Sequence, residues 1–92
     1  MAWFDWGSWV AMRISVSFYS YFKELTGCPQ TDESMPEGST LQDLFNRLAN
    51  RFPRLAGMGK STLMAVGVDY QNRDYLLKEG DEVSLFPPVQ GG

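Results

Sequence analysis

The chain has no histidine and one cysteine, Cys28, in 92 residues. Without histidine it cannot assemble a Ser-His-Asp or Cys-His catalytic arrangement, nor a Cys/His metal site. With one cysteine it cannot form an intramolecular disulfide, which fits a reducing compartment, the cytoplasm. Clustered positive charge is also lacking. Eight basic residues stand against eleven acidic ones, for a net charge of -3. That balance argues against nucleic acid and favours a basic protein surface as partner. No apolar stretch approaches the roughly 20 residues of a membrane span. The aromatic start, with Trp3, Phe4, Trp6 and Trp9, has no basic residue ahead of it and is interrupted by Asp5, so it does not read as a signal peptide. Gly59-Lys60-Ser61 looks like the end of a phosphate-binding loop. That loop needs a glycine five positions before Gly59, where Arg54 stands, so the nucleotide reading is rejected.

What is present is enough for one small domain, since 43% of the residues are hydrophobic and the length suits a single core. Ile14, Val16 and Phe18 alternate with Arg13, Ser15 and Ser17, the period-two pattern of a strand with one buried face. Residues 21–27 read as a short helical turn closed by Gly27, with Pro29 preventing continuation. A short strand is expected over 31–35. Leu41, Leu44, Phe45, Leu48, Ala49 and Phe52 then recur at the spacing of one helical face. Ser39 or Thr40 caps that helix, Ser39 with Gln42 matches a capping box, and Pro53 stops it. On the opposite face Asp43, Arg47 and Arg51 stand four apart, where the first pair can attract and the whole reads as a solvated surface. Residues 58–61 form a polar turn, 63–68 a central strand and 70–73 a turn. Residues 74–77 form one irregular turn. The tight turn at 78–81 feeds a strand at 82–86, with Val83 and Leu85 inward.

That order of elements predicts an α+β fold of the β-grasp, ubiquitin-like type, a mixed sheet with one long helix packed across it. In such a sheet the first and last strands lie parallel at the centre. Residues 1–11 form an extension, 12–92 the domain and 87–92 its flexible tail. From Val89 onward, four extended residues span up to about 13 Å.

The chain ends Pro87-Pro88-Val89-Gln90-Gly91-Gly92. Two glycines make a thread narrow enough for a channel that any side chain would block, and a terminal carboxylate can be activated as a mixed anhydride with a nucleotide phosphate. The same two residues would also suit a frayed chain end. Their setting carries a resemblance. Lys23-Glu24-Leu25-x-Gly27, Pro36-Glu37-Gly38-x-Thr40-Leu41-x-x-Leu44, Ala65-Val66, and Gly80-Asp81-Glu82-Val83 followed by Pro87-Pro88-Val89-x-Gly91-Gly92 resemble the small subunits of molybdopterin synthase, within the ubiquitin-like sulfur carriers. The resemblance spans about residues 12–92.

It implies a sulfur-donor subunit of a sulfurtransferase in molybdenum cofactor biosynthesis. A ubiquitin-activating-type enzyme, using ATP and Mg2+, would adenylate Gly92, which then becomes a thiocarboxylate, with Gly91 beside it kept small. The large synthase subunit, in a heterotetramer with this chain, would receive the tail and hold the cyclic pyranopterin. The chain itself would bind no cofactor or metal. Tyr19, Tyr70 and Phe86, with Pro87, Pro88 and Val89, match the partner-facing positions. Alternation supports part of this, because Tyr19 and Phe86 point outward if Phe18 and Leu85 point inward. Tyr19 and Phe86 could equally pack on each other for sheet stability.

Two positions depart from the pattern: Gly67 stands where the family often has asparagine, and residues 1–11 precede Met12, where a typical member would begin. Those first residues read either as a misassigned start or as an added hydrophobic contact with a partner or a second copy. Cys28 reads as structural rather than as a sulfur shuttle. Carriers for thiamine, cysteine or tungsten-cofactor synthesis, a ubiquitin-like modifier and a passive binding module share parts of the pattern.

Overall fold

A computed structural model describes residues 11–87. The first strand, β1 (Ala11–Phe18), buries Met12, Ile14, Val16 and Phe18 and leaves the intervening side chains on the other face. The helix α1 (Phe22–Thr26) ends at Gly27, whose φ of 80° is the left-handed cap that the sequence predicts, with its N–H donating to Lys23 O at 2.8 Å. The strand β2 (Gln30–Pro36) returns antiparallel to β1.

Across one face of the sheet lies α2 (Leu41–Arg51), burying Leu41, Leu44, Phe45 and Leu48. Its capping box is one residue later than the sequence suggests. Thr40, not Ser39, is the cap: its Oγ1 accepts from the Asp43 N–H at 3.2 Å, and Asp43 Oδ2 accepts from the Thr40 N–H at 3.0 Å. The helix begins at Leu41, so only the residue immediately before it can reach the third helical amide, and aspartate closes the box in place of Gln42. Ser39 turns its hydroxyl back to Pro36 O at 2.7 Å.

The opposite face of α2 also differs from expectation. Asp43 is engaged in the cap and does not bind Arg47. Arg47 and Arg51 lie across β2, where Arg51 pairs with the buried Glu33 carboxylate and Arg47 lies 3.8 Å from it. A solvated stripe is therefore a tie between helix and sheet.

Pro53 ends α2, but the chain continues as a 3₁₀ helix (Pro53–Ser61) with Leu55 buried, so the turn expected at 58–61 is its last part. Arg73 fastens this segment, donating to Thr62 O and Gln42 Oε1, each at 3.1 Å, and also to Gly59 O.

The strand β3 (Leu63–Val66) stops two residues earlier than predicted, because Gly67 at φ 63° opens a two-residue turn that leaves Val68 95% exposed. Glycine at the first turn position is the requirement of a type II′ hairpin. A short β4 (Asp69–Tyr70), where only a turn was expected from Tyr70, then pairs antiparallel with β3.

The last strand, β5 (Glu82–Phe86), runs parallel to β1 and antiparallel to β3. The order is β2-β1-β5-β3-β4. The first and last strands thus lie adjacent and parallel, β5 is the middle strand with β3 interior beside it, and the α+β, β-grasp arrangement of a mixed sheet crossed by one long helix is the observed fold.

Candidate functional site

The site grows out of the end of β5. Val83 and Leu85 face α2 and are buried, so Phe86 emerges on the face without the helix. On the neighbouring strand Phe18 is buried, and Tyr19 follows it onto the same open face. Ser20, at φ 57°, is the one non-glycine residue with positive φ among those described, and it breaks the strand just after Tyr19. Tyr19 nevertheless stays tied to the sheet, since its N–H donates to Leu85 O at 3.1 Å and its carbonyl accepts from the Phe22 N–H at 3.1 Å.

The rings meet. Tyr19 stacks on Phe86 at 4.7 Å between centroids and 11° between planes, and Tyr70 approaches Phe86 edge-on at 6.0 Å and 62°. Tyr19 and Phe86 pack on each other, and Tyr19 nevertheless remains 45% exposed. Tyr70 is 67% exposed. The patch has a fourth member that the sequence reading passed over. Leu63 lies opposite Phe86 across the β3–β5 ladder and is 39% exposed. Its signal was alternation, because Met64 points inward and the residue before it must point out.

Tyr19, Tyr70 and Phe86 are thus brought together, with Pro87 next in the chain. Pro88, Val89, Gly91 and Gly92 lie outside the described residues. Leu63, Tyr70 and Arg73 also line a shallow open groove with Lys60 and Thr62, so the patch has a basic margin. This arrangement suits docking of a protein surface, with exposed aromatics grouped around a strand end.

The described residues offer no group of three or more His, Cys, Asp or Glu able to hold a metal. Cys28 is half-buried on the turn before β2, its Sγ 3.8 Å from Thr26 Oγ1. No helix among the described residues is long and apolar enough to cross a membrane.

Comparison with known proteins agrees with this geometry. Residues 16–92 match the ThiS family. The chain belongs to the ThiS family. It is similar to the molybdopterin synthase sulfur carrier subunit of Arabidopsis thaliana, with 30% identity over 82 residues that cover 89% of this chain and 85% of the relative. Among solved structures, molybdopterin converting factor subunit 1 of Pyrococcus furiosus superimposes with a TM-score of 0.79 at 28% identity, covering 85% of this chain and 99% of that one. A structure of the complex of subunits 1 and 2 of the molybdopterin-converting factor from Helicobacter pylori is also similar. Its matching chain gives a TM-score of 0.59 at 26% identity, with 88% of this ThiS-family chain and 100% of that chain covered.

Proposed function

We propose that this ThiS-family chain is the sulfur carrier subunit of a molybdopterin synthase, with Gly92 as the residue that is activated, loaded and unloaded. The observation that carries this reading is the position of Phe86. It is the last residue of the central strand, it is bracketed by Tyr19 and Tyr70, and it stands immediately before Pro87. A rigid strand thus leads through an aromatic docking patch into the Pro-Pro-Val-Gln-Gly-Gly sequence.

In this proposal a ubiquitin-activating-type enzyme supplies the catalytic groups together with ATP and Mg2+. A carboxylate oxygen of Gly92 attacks the α-phosphorus of ATP and pyrophosphate departs. A sulfur nucleophile then attacks the acyl carbon, AMP leaves, and a thiocarboxylate remains. The patch of Tyr19, Tyr70, Phe86 and Leu63, continued by Pro87, Pro88 and Val89, docks on the large synthase subunit. There Gly91 and Gly92 enter a channel too narrow for side chains, and the sulfur passes to the cyclic pyranopterin, returning Gly92 as a carboxylate; two such deliveries supply the two sulfurs of the dithiolene that holds molybdenum. The chain is the donor in a heterotetramer, works in the cytoplasm and binds no cofactor of its own.

Incubation with the activating enzyme, ATP, Mg2+ and a sulfur source is expected to add about 16 Da at the C-terminus, the exchange of oxygen for sulfur that follows acyl activation. An unchanged intact mass would reject the carrier reading. Identification of the co-purifying partner separates the pathways: a large synthase subunit is expected, whereas a sulfhydrylase or lysine-linked adducts would redirect the assignment to cysteine synthesis or protein modification.

A further inference from the structure

The outer edge of β2 is hydrogen-bonded to no strand among the described residues, since β2 pairs with β1 alone. Such an edge offers a row of free N–H and C=O groups to which another chain can add. The direction of these groups follows from the ladder. The Phe18 N–H donates to Pro29 O at 2.9 Å, and the register runs from Ser17 opposite Gln30 to Ala11 opposite Pro36. Bonded and non-bonded pairs alternate in an antiparallel ladder. Thr31, Glu33 and Met35 therefore aim their backbone groups at β1, and Gln30, Asp32, Ser34 and Pro36 aim theirs outward.

Three of those four outward carbonyls are occupied from within the molecule. Arg51 Nη1 donates to Asp32 O at 3.3 Å, and Arg47 Nη1 donates to Ser34 O at 3.0 Å. Pro36 O accepts from the Ser39 N–H at 3.1 Å and from the Ser39 hydroxyl at 2.7 Å. Pro36 also has no N–H to give. The arginines are held in place from below and beside: both face the Glu33 carboxylate, only 7% exposed, and Arg51 Nη2 donates to Thr31 Oγ1 at 2.9 Å. An edge that would alternate donor and acceptor is left with outward donors and almost no free acceptors.

We propose that Arg47 and Arg51 close the β2 edge against strand addition, and that the occupant they keep out is a second copy of this chain pairing β2 to β2. Two identical edges related by a two-fold axis are antiparallel and self-complementary, which makes another copy the partner always at hand. With β2 closed and β4 only two residues long, neither sheet edge among the described residues offers a long open ladder. This inference does not depend on the sulfur-carrier reading.

The variant R47A/R51A tests it. Sedimentation velocity across a concentration series is expected to show self-association toward a dimer beyond that of the wild type. Adding S34P, which removes an outward N–H at an edge position where proline is tolerated, is expected to reverse it. E33Q removes the buried charge but keeps both arginine-to-carbonyl bonds, and is expected to sediment like the wild type. E33Q/R47A/R51A opens the edge without leaving a buried carboxylate unpaired, so it serves if R47A/R51A fails to fold. A folded edge-opened variant that sediments like the wild type at every concentration would overturn the proposal. So would E33Q associating as strongly as the double variant, or association that S34P leaves unchanged.

Discussion

At the scale of single residues, Tyr19 and Phe86 stack where β5 ends. Tyr19 is fixed on both sides, by its backbone bonds to Leu85 and Phe22 and by its ring on Phe86. Replacing it by alanine should cost about 0.5–1.5 kcal/mol of stability for the lost ring pair. As a central aromatic of the docking patch, Tyr19→Ala should weaken binding to the large synthase subunit by about 2 kcal/mol, read by calorimetry, with Tyr19→Phe near the wild type in both. Gly67 answers a question that the sequence raised. Where the sequence left the turn in doubt, φ is 63°, a positive value that glycine adopts freely and that strains a residue with a side chain. A Cβ at Gly67 would meet nothing within 4 Å, so backbone strain alone sets the cost. Gly67→Ala should lose about 1 kcal/mol in denaturant unfolding; no loss would show that something other than φ holds that turn.

At the scale of elements, the sequence revealed what local chemistry determines and missed what distant contacts determine. The strand at Ile14, Val16 and Phe18, the Gly27 cap, the apolar face from Leu41 to Leu48 and the strand of Val83 and Leu85 were legible because periodicity of two or 3.6 is a local record of burial. The outward direction of Tyr19 and Phe86 was legible for the same reason, as each follows an inward residue, whereas Tyr70 came only with the family resemblance. The capping box was misplaced because Ser39 and Thr40 both carry a hydroxyl, and only the first helical residue tells them apart. Thr40→Ala should therefore cost about 1 kcal/mol of stability through the lost cap. The role of Arg47 and Arg51 was invisible, since their partners on β2 are 13 to 20 residues away in sequence. Nothing in an i, i+4 pattern distinguishes an arginine in water from one reaching across a sheet. Arg51→Ala leaves Glu33 buried with one more distant partner, and should cost about 1–3 kcal/mol in thermal or denaturant unfolding. A loss no greater than that of an exposed helix arginine would mean that the pair contributes little.

At the scale of the whole molecule, the core is closed by β1, β5, β3 and α2, all within residues 11–87. Deleting Gly92 should abolish sulfur loading while leaving the midpoint of unfolding unchanged within about 0.5 kcal/mol, as expected for a residue beyond the last core strand. Loss of folding along with loading would place the end of the chain inside the stability unit. The central position of β5 bears also on how the protein is made. Ser15 and Glu82 are ladder partners, and the strands that flank β5 are both synthesised before it. On the ribosome, the emerging chain therefore holds β1 and β3 with a gap between them. Only translation through β5 supplies the strand that joins them, so a chain cut short before β5 lacks the middle of its sheet and is exposed to proteolysis. The sheet therefore closes only after synthesis has run through β5, the strand that leads toward the diglycine.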